Sequence, residues 1–252
     1  MKARLKRALP PGVLRFVARL RRWSAARRDA GRTAAEVFGD IYRTNRWGGS
    51  PGEFCSGDGS SDAAVVEPYV ALMRAYLGGF PADARPRVVD VGCGDFAVGR
   101  RLVDLCGGYV GVDVVPELVA HLTAGNTDPK IRFVCADASR DPLPAGDVCF
   151  VRQVFQHLSN AQIAAVLPKL AAFRTVFVTE HHPGPGVATR PNLDKLQGAD
   201  IRLYRDSGVF LDAAPFHFRG TVETVLEVPD GGDGRLYPAG VIRTVRYQPA
   251  AG

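Results

Sequence analysis

A β-branched run that closes on an acid and two glycines, Val88-Val89-Asp90-Val91-Gly92-Cys93-Gly94, constrains this chain more than any other stretch. Two glycines one residue apart at a strand end supply the backbone conformations and the missing Cβ that a tight strand-to-helix turn over a ligand requires. Two more acids follow in step: Asp113 ends the strand-like run 109–113, and Asp137 comes just after the run 131–135. A single strand-end Asp can be a helix cap. Three in register place carboxylates on one rim of an open α/β sheet, where such sheets bind ligands, and mark a nucleotide-type cofactor site.

Apolar spacing predicts a helix over 63–77, then strand 87–91, helix 96–106, strand 109–113, helix 115–124, strands 131–135 and 147–152, helix 160–172 and strand 173–179. Strands over 221–228 and 241–247 come last. This alternation predicts an α/β fold with a parallel sheet covered on both faces. At 252 residues and 46% hydrophobic content, one substantial core can be buried. No apolar run reaches the roughly 18 residues of a membrane span. Five cysteines (Cys55, Cys93, Cys106, Cys135, Cys149) form no C-x-x-C pair, which favours reduced thiols and a cytoplasmic setting over a zinc or disulfide framework.

Charge divides the chain. Residues 1–32 hold eleven Lys or Arg against one acid, Asp29, so a tail of +10 joins a body of about −4 within a total of +6. An acidic body argues against a nucleic-acid partner. Leu14, Val17 and Leu20, with Val13 and Phe16 beside them, follow Pro10-Pro11 and predict a basic amphipathic helix over 12–30. The tail reads as a solvated or homodimer-packing helix, or as a peripheral contact to an anionic membrane or polymer. Arginines interrupt what would be the apolar core of a cleavable signal. Residues 34–61, rich in Gly and Ser and carrying Trp47, read as a lid. The expected organisation is a basic helix and lid over 1–61, then one domain over 62–252 whose long 181–220 interval builds an acceptor pocket.

Asp90-Val91-Gly92-Cys93-Gly94, Asp113, Asp137 and the following strand Asp147-Val148-Cys149-Phe150-Val151-Arg152 resemble the ordered motifs of class I S-adenosylmethionine-dependent methyltransferases, over roughly 62–247. The resemblance implies a Rossmann-like, doubly wound, mostly parallel seven-stranded sheet with a C-terminal antiparallel hairpin. It also implies S-adenosyl-L-methionine as cofactor. The backbone of Gly92, Cys93 and Gly94 would pass the methionine part, with Asp90 near its amino group. Asp113, with Val114 beside it, would take the ribose hydroxyls. Asp137 would accept from the adenine amine with Ala138 beside the ring, and Gln153 completes the cradle. One carboxylate can accept both donors of a vicinal diol, so the chemistry agrees.

The lid pattern of Tyr42, Trp47-Gly48 and Ser56-Gly57-Asp58-Gly59-Ser60 resembles the leading segment of bacterial methyltransferases that modify sugars and polysaccharides. That implies a saccharide acceptor, mannoside-type, bound by Tyr42, Trp47 and Ser60, with Asp194 and Phe216 from the 181–220 interval. Methylating a hydroxyl needs a base, and His is the default near neutral pH. His157, directly after the fourth strand, ranks first; His182 and His181, with Glu180, follow the fifth. His121 reads as a surface residue, and His217 sits beside the pocket loop. Glu180, His181, His182 and Asp194 carry the atom types for a divalent metal such as Mg2+, without compact ligand spacing.

Four rivals stand beside this reading. Gly92-x-Gly94-x-x-Ala97, with Asp113 further on, also meets the loose pattern of an NAD(P)-dependent oxidoreductase. A small-molecule or lipid-quinone O-methyltransferase fits the same motifs. The basic tail suggests an RNA methyltransferase, although no Asn-Pro-Pro-Tyr-like motif follows the fourth strand. A non-catalytic scaffold is the last, and the three intact acids oppose it.

Overall fold

In a computed structural model the described residues are 11–232 and 239–250, so Lys2, Arg4, Lys6 and Arg7 of the basic tail lie outside them. Seven strands form one sheet in the order β3-β2-β1-β4-β5-β7-β6. β1 (Arg87–Val91), β2 (Gly108–Asp113), β3 (Ile131–Cys135), β4 (Val148–Arg152) and β5 (Thr175–Pro183) are parallel. β6 (Gly220–Asp230) and β7 (Gly240–Pro249) close the sheet as an antiparallel hairpin on β5. The α/β class, the parallel sheet and the terminal hairpin are as the sequence predicts. β1 and β4 run as near-continuous apolar segments because both faces are covered, as parallel strands require.

Among the described residues six helices accompany the sheet: α1 (Pro11–Asp29), α2 (Ala34–Arg43), the single turn α3 (Asp58–Ser61), α4 (Ala63–Gly78), α5 (Pro116–Gly125) and α6 (Asn160–Leu170). Local chemistry fixes their starts. Thr33 and Glu36 close a reciprocal capping box on α2, and Ser159 and Gln162 do the same on α6. Val37, Phe38, Ile41 and Tyr42 turn one face of α2 into the core cluster that also holds Val89, Val91 and Phe150. Part of the stretch read as a lid loop is thus a capped, core-packed helix.

Two predicted elements differ. The helix expected over 96–106 is replaced by two 3-10 turns, Gly99–Arg101 and Val103–Leu105. Phe96 adopts a positive φ of 62°, and Asp95 Oδ1 accepts the Ala97 N–H at 3.0 Å, so a turn consumes the residues that would have begun the helix. The fifth strand starts at Thr175 and runs on to Pro183, because Glu180, His181, His182 and Pro183 continue the ladder opposite Arg243, Ile242, Val241 and Gly240 of β7. That four-residue extension moves three sequence candidates off the rim.

Candidate active site

The strand order reverses between β1 and β4, and the cavity lies outside their carboxyl ends, as expected at such a switch point. Its floor is the loop after β1. Gly92 and Gly94 hold φ of 73° and 55°; a Cβ on Gly92 would lie 2.3 Å from Val154 Cγ2, and one on Gly94 2.3 Å from Ser56 Oγ. Both positions therefore need glycine for conformation and for space. Asp113 anchors the loop: Oδ2 accepts the Gly94 N–H at 3.1 Å and Oδ1 the Val115 N–H at 3.1 Å. Burial pushes its carboxyl above the ordinary range while these N–H groups pull it back.

Asp90 is buried one strand away and accepts from Tyr109 Oη at 2.8 Å. Burial pushes it up to about 6, against the opposing pull of that hydrogen bond and of the Arg152 charge. Asp137 accepts from the Ser139 N–H at 2.9 Å and Ser139 Oγ at 2.6 Å, and Lys169 Nζ donates to the Ala138 carbonyl at 2.6 Å, which steadies the third acid's turn. Asp90, Gly92, Cys93, Gly94, Asp113, Val114, Asp137, Ala138 and Gln153 all line the one cavity.

The roof comes from 34–61. Tyr42 Oη lies 3.3 Å from Ser56 Oγ, which accepts the Asp95 N–H at 2.8 Å, while the Ser56 N–H donates to Asp95 Oδ2 at 3.1 Å. Trp47 meets Tyr42 edge-on at 5.3 Å between ring centroids and His157 at 5.2 Å. Arg152, at the end of β4, donates to the Gly59 carbonyl and to Ser60 Oγ, and its guanidinium lies 5.0 Å from the Tyr69 ring centroid. Its Nε and Gln153 Nε2 are buried donors with no hydrogen-bond partner, facing a cavity whose other wall carries carboxylates. A glycine cradle, strand-end carboxylates with spare lone pairs and two orphaned donors fit a ligand that carries an amine, a diol and a carboxylate.

His157 forms the far wall. Its Nδ1 is 3.2 Å from the Gly198 carbonyl and its Nε2 is 3.3 Å from Gln156 Nε2. An amide nitrogen only donates and a carbonyl only accepts, so Nδ1 carries the proton and Nε2 presents a lone pair. Burial pushes this imidazole down to about 3, keeping it neutral. Three groups hold the segment. Glu180 accepts the N–H groups of Val154, Phe155 and Gln156 at 3.1, 2.7 and 3.0 Å, and burial pushes its carboxyl up to about 7 despite those bonds. Arg202, 2% exposed, donates to the carbonyls of Phe155, Leu158 and Leu193 and to Asn160 Oδ1, between 2.7 and 3.2 Å. Lys195 Nζ donates to the His157 carbonyl at 3.2 Å, and burial pushes its amine down to about 7.

Sequence candidates thus divide. Tyr42, Trp47, Ser60 and His157 line the cavity with the cofactor-side residues; Glu180, His181, His182, Asp194 and Phe216 do not. Glu180 serves the backbone behind His157. His181 points its Nε2 at Asp230 Oδ2, 3.3 Å away at the end of β6. His182 packs its ring 4.7 Å from Phe210 and is pushed down to about 3 by burial. Asp194 is exposed and accepts the Asn160 and Lys195 N–H groups; Phe216 packs half-buried against the core. The Glu180, His181, His182 and Asp194 set expected as metal ligands is not brought together, and no group of three or more such residues could hold an ion among the described residues. Arg152, Ser56, Asp95 and Arg202 were not singled out. An arginine closing the apolar run Val148-Cys149-Phe150-Val151 is the one legible signal among them.

Residues 88–174 match the family model described as a methyltransferase domain. The chain thus carries a methyltransferase domain. The match decides against the nicotinamide alternative and covers the segment that carries the three acids. No curated protein sequence matches the chain. Among solved structures, the methyltransferase is similar to the 1,6-didemethyltoxoflavin N1-methyltransferase of Burkholderia thailandensis, with bound 1,6-didemethyltoxoflavin and S-adenosylhomocysteine, at 18% identity and TM-score 0.53, over 85% of this chain and 87% of that one. It is similar to magnesium protoporphyrin IX methyltransferase from Synechocystis PCC 6803 with bound SAM at 16% identity and TM-score 0.52, over 86% and 98%. Against human N-acetylserotonin methyltransferase in complex with SAM, at 15% identity and TM-score 0.49, it covers 87% of its own length and 61% of that chain. The first two likenesses establish the class I fold.

Proposed function

We propose that this enzyme transfers the methyl group to a hydroxyl of a saccharide acceptor, a mannoside-type sugar or oligosaccharide, with His157 receiving the hydroxyl proton. The supporting observation is the state of His157: neutral, Nδ1–H committed to the Gly198 carbonyl, and on the wall of the cavity that holds the strand-end carboxylates an Nε2 lone pair that accepts from Gln156 Nε2 until an acceptor hydroxyl takes that amide's place. S-adenosylmethionine supplies, when bound, a methyl on a sulfonium that leaves as a neutral thioether. The protein's share of the work is alignment and proton handling.

Asp90 receives the amine, Asp113 the ribose diol, and Asp137 with Ala138 the adenine. As the acceptor oxygen gains the methyl its proton becomes strongly acidic, so even a weakly basic imidazole takes it. The new charge on His157 is held through Nδ1–H by the Gly198 carbonyl. Trp47 and Tyr42 give the acceptor an apolar platform, and Ser60 offers a hydroxyl at the rim. A planar phenolic or quinol acceptor is the second reading, favoured by the aromatic wall of Phe38, Tyr42 and Trp47.

The test is a labelled-donor screen that sets mannosides, other sugars, phenols and quinols side by side. A mannoside should lead; a phenol or quinol turning over faster moves the assignment to the second reading. His157→Ala should lower turnover about 10³-fold while donor affinity stays within about twofold. Retention of near-full turnover removes His157 as the base.

A further inference from the structure

Among the described residues, four of the seven exposed large apolar side chains lie on one helix. Val13, Phe16, Leu20 and Trp23 of α1 are 45%, 61%, 48% and 58% exposed, and their spacing of three, four and three residues lines them on one face. The opposite side faces the protein: the Arg22 guanidinium lies 4.5 Å from the Tyr204 ring centroid, and buried Asp29 pairs with Arg28, Arg32 and Arg46. Exposed Arg19 and Arg21 project to either side of the stripe. A helix of a water-soluble domain ordinarily buries its apolar face. α1 presents it outward with arginines along both borders, the arrangement of a helix that lies in an interface.

Charge selects the partner. The tail of +10 belongs to a body of about −4, so an anionic surface is drawn to this face and away from the rest. Beside α1 lies a cleft on whose lining the cations, among them Arg19, Arg22, Arg190 and Arg205, outnumber the acids Asp29, Asp200 and Asp206, with Trp23 and the 53%-exposed Leu196 also on it. Phosphate-bearing headgroups fit that mixture of guanidinium groups and apolar edge.

We propose that α1 docks the enzyme on an anionic phospholipid bilayer, the stripe from Val13 to Trp23 entering the acyl boundary and the flanking arginines meeting headgroup phosphates. This surface is separate from the donor cavity and holds whether the acceptor is soluble or lipid-linked. The full chain should co-sediment with phosphatidylcholine vesicles containing about a third phosphatidylglycerol, and at least about tenfold more weakly with pure phosphatidylcholine. Raising salt from about 0.1 M to 0.5 M should release much of it.

The triple variant Phe16→Ser, Leu20→Ser, Trp23→Ser should bind about tenfold or more weakly with unchanged thermal unfolding. The double variant Arg19→Gln, Arg21→Gln, which leaves the stripe intact, should lose about tenfold as well. Absence of binding to anionic vesicles, or binding by either variant as tight as that of the parent protein, overturns the proposal. A homodimer seen by light scattering that the triple variant dissociates, with no vesicle binding, overturns it too and gives the stripe to a second copy.

Discussion

The donor rim and the acceptor wall are built by opposite means. Asp90 and Asp113 stand on strands, and Asp137 on the turn just after one, so their positions follow from a pleat and a ladder that a few neighbouring residues specify. His157 stands on a 3-10 turn, Phe155–His157, that has no ladder of its own. It is held by Glu180 from β5, by Arg202 and Lys195 from a long connection, and by Trp47 from the roof. A rim made of strand ends is inherited with the fold, whereas a wall made of distant side chains can be rebuilt without disturbing the sheet. Varied acceptors on a constant donor site are what such a division permits.

The strongest way to break this comparison is Arg202→Ala. It deprives the carbonyls of Phe155, Leu158 and Leu193 and the Asn160 amide oxygen of one buried donor. Stability should fall by about 3 kcal/mol in urea titrations. Donor affinity, measured by calorimetry below the unfolding range, should stay near that of the parent protein. Collapse of both together would mean that wall and rim are one unit.

Asp113→Asn addresses the rim. One amide oxygen replaces two carboxylate oxygens, so a ribose diol loses a charge-assisted bond and donor affinity should drop by about 1.5–3 kcal/mol, ten- to a hundredfold. The urea midpoint should move by the equivalent of about 1–2 kcal/mol, because the new amide nitrogen faces the Gly94 or Val115 N–H. A larger shift in stability than in affinity would make Asp113 a turn anchor for Gly94 and Val115 and nothing more.

The smallest effect concerns pH. With Asp90 pushed up to about 6, ligand-free protein gains stability from its protonated form at low pH and loses that gain as pH rises through 6. A donor amine requires the ionised form. Donor affinity should therefore tighten about tenfold from pH 5 to pH 7 and then level off. Asp90→Asn should bind weakly with a flat profile. A profile that is already flat in the parent protein would remove the amine from Asp90.

What could be read from the sequence follows the same division. The run ending at Gly94, the acids at 113 and 137 and the order of strands are short-range patterns, so the fold and the gathering of these acids on one cavity are legible. The place of His157 on that cavity is legible because it follows the end of β4 by five residues. Glu180, His181 and His182 were misplaced because four more residues of β5 pair with β7, and the sequence around 180 carries no mark of a partner some sixty residues away. Ser56 and Asp95 meet across 39 residues of chain, and Arg202 reaches Phe155, Leu158 and Asn160 across 42 to 47, beyond any local period. The helix expected over 96–106 failed for a local reason: the Asp95 turn and the positive φ of Phe96 override apolar spacing.

The pair of hydrogen bonds between Ser56 and Asp95 joins ceiling to floor directly above Gly94. An exit of spent donor past this ceiling would give up both bonds, at a cost of about 1–3 kcal/mol. A serine with no part in the chemistry could then set the pace: Ser56→Ala should quicken product release and slow the transfer step in pre-steady-state kinetics, and unchanged release would deny the clasp that role.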